Sequence, residues 1–243
     1  MKNKSTLRRI LEWGGIAAGT IMVAFGIAAI VMGFDGRSTV QDNLANEFIV
    51  GSDDMTPEAI NAEIPGILAA QKKIAAARQQ AGVESIEFTP VEAPDCSVAG
   101  QEIDNGSDAR CFAQYLRIHA LRATNGLTYA QMGRFMAAPN APPAETDFNG
   151  GTSNEKVALV NAQSGQPVSN GVRDLWVTAT GLSSALNLAY TAEQISIFGI
   201  VVGIALLLTG IGLIILAVAV LHRTPAEAEA RAKVPDAEAA TAQ

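Results

Sequence analysis

The sequence predicts a mainly α fold: a two-helix transmembrane hairpin with long helices extending into a mostly helical extracytoplasmic domain that carries one small β-hairpin. Three observations predict it. Two uncharged apolar blocks of bilayer length stand near the two ends of the 243-residue chain. Basic residues are distributed unevenly around those blocks. Residues 35–194, between the blocks, have the composition of a soluble domain and carry helical spacings and caps.

The second block is the stronger. Residues 195–221 hold no charged side chain and 18 Leu, Ile, Val or Phe residues. As a helix this stretch is roughly 40 Å long against about 30 Å of hydrocarbon, and its insertion gains at most roughly 5 to 11 kcal/mol. The first block, residues 14–34, is also uncharged but softer, with Ile16, Ile21, Val23, Phe25, Ile27, Ile30, Val31 and Phe34 in the strongly apolar class. A cleaved signal peptide competes with a span here, because Lys2, Lys4, Arg8 and Arg9 form a basic leader. The apolar run exceeds the usual signal core of about 7 to 15 residues, and no A-x-A site precedes Asp35, which favours an uncleaved span.

Residues 1–13 carry a net charge of +3, residues 35–194 a net of −9 and residues 222–243 a net of −1. Basic flanks stay in the cytoplasm, and Arg223 with His222 after the second span agrees. The expected order is therefore a cytoplasmic N-terminus (1–13), a first span (14–34), an extracytoplasmic domain (35–194), a second span (195–221) and a disordered cytoplasmic tail (222–243). The acidic domain argues against binding nucleic acid through bulk charge.

Both cysteines, Cys96 and Cys111, fall in residues 35–194. In an oxidising compartment they would form a disulfide closing a short loop, for about 3 kcal/mol in the chain-entropy view. Free thiols or a redox pair are the alternatives, and two thiols without nearby histidine make a poor metal site.

Along the domain, Val40, Leu44 and Phe48 step by four, so the first helix continues past the span as a stalk to about Gly51. Thr56, Pro57 and Glu58 read as N-cap, first helical position and first turn. Pro65 reads as the start of another helix ending at Gly82. Residues 84–89 alternate like a short strand. Residues 104–108 read as a helix cap, followed by a helix from about Ser107 to Thr124 with Asn125-Gly126 as its stop. Thr128 to Gln131 is a capping box for a further helix through Met136. Residues 137–154 are a Pro/Gly/Asn-rich loop. Residues 156–160 and 166–168 flank Gly165 as a small hairpin. One long helix is expected over residues 172–221, with Leu175, Ala179, Leu182, Leu186 and Ala189 as its outer stripe.

The spans share a pattern. Gly15, Gly19 and Gly26 are four and seven apart, as are Gly199, Gly203 and Gly210. Apolar side chains gain little by leaving lipid for another helix, so close backbone approach at glycine is what favours association. These six glycines are the expected helix-packing positions, between the two spans or between copies.

Sites of chemistry are sparse. The sequence has no phosphate loop, nucleophile elbow or C-x-x-C, and neither span holds an ionisable residue. His119 is the one outer histidine, too few for a two-His, one-carboxylate iron site. No catalytic residue, metal or cofactor is therefore expected. Tyr115 and His119, sharing a helix face, are the candidate ligand-binding residues.

Four stretches resemble a group of small two-pass membrane proteins of actinobacteria: 48–57 (Phe-Ile-Val-Gly-Ser-Asp-Asp-Met-Thr-Pro), 98–101 (Val-Ala-Gly-Gln), 115–121 (Tyr-Leu-Arg-Ile-His-Ala-Leu) and 200–212 (Ile-Val-Val-Gly-Ile-Ala-Leu-Leu-Leu-Thr-Gly-Ile-Gly). Some members of that group carry a ring-opening dioxygenase label. The resemblance implies an actinobacterial plasma membrane and carries over no catalytic residue.

The functional expectation is a non-enzymatic integral membrane protein, self-associating or bound to another membrane protein, serving as an interaction or accessory module of the cell envelope. The alternative is an extracytoplasmic sensor or binding protein for a small ligand, with the 137–154 loop, Tyr115 and His119 lining its pocket.

Overall fold

The computed structural model describes residues 2–82 and 84–221. The expected disordered tail, 222–243, lies outside the described residues. Among these residues the fold is mainly helical, with one small antiparallel sheet. The helices are α1 (Lys2–Ala45), α2 (Pro57–Gln80), α3 (Gly106–Ala123) and α4 (Gly171–Leu216), the last continued by a π-helical turn over Ala217–Leu221. The strands are β1 (Phe135–Met136) and β2 (Gly151–Thr152), paired Phe135 to Thr152 and Met136 to Gly151. Two helices are long and apolar enough to cross a membrane, with windows of mean hydropathy 2.2 within Thr6–Ala45 and 2.9 within Gly171–Ala219.

The chain divides into two compact units, Met1–Ser38 with Ile195–Gln243, and Thr39–Gln194. In the first unit the two helices run antiparallel. Gly19 faces Gly210, Gly26 faces Gly203, and Gly33 faces Ser196 and Ile200. Each partner set steps by seven, the period that keeps a seam in register along a left-handed helix pair. Among the described side chains of this unit, the buried positions are Gly19, Gly26, Gly33, Gly203, Gly210 and Ala217. Every large apolar side chain described there is at least partly exposed. The Thr20 and Thr209 hydroxyls donate to the carbonyls of Ile16 and Ala205 in their own helices, at 2.8 and 2.7 Å. Neither therefore presents an unsatisfied donor at the surface.

The second unit has a conventional core. Leu44 of α1, Ile60, Ile67 and Ile74 of α2, and Phe112, Tyr115 and Leu121 of α3 bury together with Trp176 and Leu186 of α4. Thr56 caps α2, its hydroxyl accepting from the Ala59 amide at 3.2 Å, and Asn105 caps α3 by accepting from the Asp108 amide at 3.0 Å. A buried glutamate adds a tertiary staple. Glu193 of α4 accepts from the Gly106 amide, the first of α3, at 2.6 Å and from the Gln41 side chain at 3.1 Å. The amide it satisfies is one of the donors every helix N-terminus leaves open.

The sequence expectations need correction at four places. The stalk helix stops at Ala45, not near Gly51. Phe48 takes a left-handed backbone (φ 51°) and is 86 % exposed, because the chain turns so that residues 49–51 can lie along 99–103. There Gly51 approaches so closely that a methyl on it would come within 1.9 Å of the Val98 carbonyl oxygen. Pro65 does not start a helix; it sits inside α2. Pro65 and Asn61, whose carbonyl it leaves without a partner, are both exposed, so water can satisfy that oxygen while the buried stripe runs on from Ile60 to Ile67. Residues 84–89 form no strand; Ile86 and Phe88 pack half-buried on the core without a ladder. The capping box of Thr128 and Gln131 is present, yet only a single 3-10 turn follows. Gly133 packs against the Thr152 backbone, and the Met136 amide donates to the Val168 carbonyl at 2.9 Å, so tertiary pairing ends the helix. The hairpin about Gly165 is present but short, a single bridge of Val160 with Pro167 closed by the Asn161 amide on the Gln166 carbonyl at 2.9 Å and the Val168 amide on the Leu159 carbonyl at 2.8 Å. The two-stranded sheet forms between β1 and β2.

Candidate functional site

Within the second unit, α3 carries both residues singled out in the sequence, but they end in different surroundings. Tyr115 is wholly buried, and its hydroxyl donates to the Cys96 carbonyl. Burial pushes the phenol up from its ordinary value, helped by the negative charges of Glu58 and Asp95. It sits in solid core beside the cysteines. Cys96 and Cys111 are bonded, their sulfurs 2.08 Å and their Cα atoms 6.1 Å apart. Cys111 lies on the first turns of α3 in the core, so the bond ties the 90–105 loop to that helix.

His119 lies one helical turn further on. Its Nε2 approaches Asp54 Oδ2 at 3.4 Å without hydrogen-bond geometry. The Ser52 hydroxyl donates to the other oxygen of Asp54. That bond is the largest cause holding the Asp54 carboxyl below the usual carboxylate range; burial pushes back next in size, and His119, a backbone hydrogen bond and Arg122 lower it further. Arg122 pairs with Glu63 of α2. The Arg122–Glu63 pair ties α2 to α3, and the Asp54 turn lies against His119 at the edge of the core.

Among the cavities that open on this unit, two bear on the residues singled out in the sequence. The first is a groove of about 490 Å³ between Leu116, His119, Ala120 and Ala123 of α3 and Leu175, Thr178, Ala179 and Leu182 of α4. Its lining is almost wholly apolar, with His119 and Thr178 as the polar exceptions. The second, also about 490 Å³, lies between the C-terminal end of α2 and the 143–148 segment. Ile74, Ala77, Ile86 and Leu127 form its apolar floor, Pro143, Ala144 and Phe148 its rim, and Arg78, Gln131 and Asp147 its polar part. Both volumes fall in the range of about 300–1,000 Å³ common for small-ligand pockets.

The expected shared pocket is therefore divided. His119 lines the first cavity, the 137–154 loop lines the second, and Tyr115 lines neither. The physical reason is position along the helix rather than phase. Tyr115 and His119 share a stripe on α3, but the core claims the Tyr115 end while the Asp54 turn claims the His119 end.

The loop is well organised. Asp147 accepts from the amides of Gly133, Asn149 and Gly151. Asn149 donates to the Thr124 carbonyl at 2.9 Å, and buried Asn170 donates to the Gly133 carbonyl at 2.9 Å while accepting from the Val172 amide at the start of α4. This is the Asx chemistry that turns favour. Arg78 was missed in the sequence, where it reads as one more charge on an exposed helix face. Half-buried, it donates from Nε to the Glu84 carbonyl at 2.7 Å and forms no ion pair among the described residues.

The six glycines belong to the first unit. A methyl on Gly19 would come within 2.6 Å of the Gly210 carbonyl oxygen, and one on Gly26 within 2.7 Å of the Gly203 carbonyl oxygen. Gly15 stands 3.1 Å from the Ala217 methyl by the same measure, whereas Gly199 has only the Ala29 carbonyl, at 3.8 Å. Gly33, outside the sequence set, belongs to the seam. No group of three or more His, Cys, Asp or Glu side chains that could hold a metal occurs among the described residues. Compared with family models, curated proteins and solved structures, the chain matches none.

Proposed function

We propose that this chain is a non-enzymatic integral membrane protein, a self-associating interaction or accessory module of the cell envelope. In this reading residues 1–13 and the chain's C-terminal end are cytoplasmic, residues 14–34 and 195–221 span the plasma membrane, and residues 35–194 lie outside. The observation that carries it is the outward-facing shell of the first unit. Phe25, Phe34, Phe198 and Leu208 are 58–68 % exposed on a helix pair whose own contact is glycine on glycine. In water such a shell would be an apolar patch far beyond the few hundred Å² soluble proteins carry. Against lipid it costs nothing, and the close glycine seam supplies the packing that holds helices together there.

The seam glycines are engaged within one chain, so self-association falls to another surface. The apolar α3–α4 groove, rimmed by exposed Leu175 and Leu182, is the candidate. The experiment is cysteine cross-linking of Leu182→Cys in native membranes, with protease applied to intact cells. We expect a covalent dimer and external cleavage within residues 35–194. A chain that stays monomeric overturns self-association, and a protected 35–194 segment overturns the orientation.

A second reading has its own support. The cavity beside Arg78 suits a lobe that binds a small extracytoplasmic ligand.

A further inference from the structure

We infer that the cavity between the C-terminal end of α2 and the 143–148 segment binds a small amphipathic monocarboxylate, its anion held by Arg78 and its apolar body seated on Ile74, Ile86 and Leu127. This rests on the second reading above, that the outer lobe takes a small ligand, and names the chemistry of that ligand.

Most polar groups that face the cavity already have partners. Asp147 is consumed by three backbone amides, from Gly133, Asn149 and Gly151. Gln131 is consumed by the Glu87 carbonyl, to which it donates at 2.7 Å, and by the Thr128 amide, from which it accepts at 2.8 Å. The Thr146 hydroxyl donates to the Pro142 carbonyl at 3.0 Å. Arg78 keeps the most donor capacity, with a single one of its five N–H groups hydrogen-bonded among the described residues. Its Nε is held by the Glu84 carbonyl, which fixes the plane of the guanidinium, and its terminal N–H groups meet no carboxylate among the described residues. A planar fork of donors, half-removed from water and already oriented, matches a carboxylate through two parallel hydrogen bonds. Among the described residues Arg78 is the one cation in the cavity lining, and the lining's carboxylate, Asp147, is met by three backbone amides, so the site suits one negative charge better than two.

The rest of the wall sets the body of the ligand. Ile74 and Leu127 are buried at the floor, and Phe148 stands half-exposed at the rim, where it can close over an apolar group. Few convergent polar groups on an apolar wall is the usual form of a small-molecule site.

The test uses the full-length protein in lipid nanodiscs and two probes of equal shape, phenylpropanoate and its neutral counterpart phenylpropanol, followed by saturation-transfer NMR with empty discs as background. The native chain is expected to bind the acid saturably and roughly tenfold more tightly than the alcohol, the difference a charge-assisted pair supplies. Arg78→Gln should bring the acid down to the alcohol while leaving the alcohol unchanged, and Arg78→Lys should keep part of the preference. Ala77→Phe, which fills the cavity from an exposed position of α2 outside the buried stripe, should abolish both. If acid and alcohol bind alike and Ala77→Phe removes both, the cavity takes ligands but the assignment to anions is overturned. If neither probe binds saturably, or Ala77→Phe leaves binding intact, the cavity is no ligand site and the second reading falls with it.

Discussion

Gly14 and Gly19 lie on the same helix, and what separates them is what a methyl group would meet. At Gly19 it would press into the Gly210 carbonyl and the Ile214 side chain, while at Gly14 it would meet nothing within 4 Å. Gly212 on α4 is as open as Gly14. Gly19→Ala and Gly26→Ala should therefore each cost about 1–3 kcal/mol through forced separation of the helices. Gly212→Ala should be neutral or stabilising by up to about 1 kcal/mol, because it removes unfolded-state freedom without a clash. Thermal unfolding in detergent distinguishes the two classes. Asp54 supports a second prediction. Its folded value lies below the ordinary 3.8, so the unfolded chain binds the proton more readily. Stability from this group is then fully present above 3.8 and is lost as pH falls through the lowered folded value. The melting temperature of the native chain should exceed that of Ser52→Ala at neutral pH, and the gap should close in acid below 3.8. The gap should be small, since the Asp54 side chain is 46 % exposed and water screens it.

At the scale of elements, the outer unit is held by pieces that reach across sequence. The Cys96–Cys111 bond spans 15 residues, and closing a loop of that size removes about 3 kcal/mol of unfolded-state entropy. Reduction, or Cys96→Ala with Cys111→Ala, should lower the melting temperature of the chain by an amount consistent with that figure. Serine at position 111 should be worse than alanine, because Cys111 is only 4 % exposed and a hydroxyl there would lack a partner. Calorimetry on the two double variants measures the difference. Helix α2 makes the complementary point. Local chemistry at Pro65 says stop, yet Ile60, Ile67, Gln71 and Ile74 bury in one continuous stripe, and that burial outweighs one missing hydrogen bond.

For the molecule as a whole, the deciding feature is the split between a unit with a buried core and a unit whose large apolar residues face outward. The second unit buries Tyr115, Ile60 and Leu127 completely, as a water-soluble domain does. The first buries glycine and alanine. Membranes washed in alkaline carbonate should therefore retain the chain, and detergent should release it, since peripheral association would yield to the wash. Recovery of the chain in the carbonate supernatant would remove the basis for the membrane reading.

Much of this was legible in one dimension because its cause is local. Apolar length, the helical period, the caps at Thr56 and Asn105 and the stop at Asn125-Gly126 all follow from neighbouring residues, and so does the mainly helical class of the fold. The seven-residue recurrence of glycine could be read, but not that Gly33 joins the seam while Gly199 stands off it, because that depends on the register of two helices far apart in sequence. The same holds for the strands. Residues 84–89 had the local pattern, while the ladder formed between Phe135–Met136 and Gly151–Thr152, where partners 15 to 17 positions away were brought alongside. Arg78, Glu193 and Asp147 were ordinary charges until the fold set Arg78 at a cavity, Glu193 on the first amide of α3 and Asp147 among three amides. Short-range sterics and hydrophobic period are written in the chain itself. Which polar group is satisfied, and which is left with capacity to bind something else, is decided only when distant segments meet and exclude water.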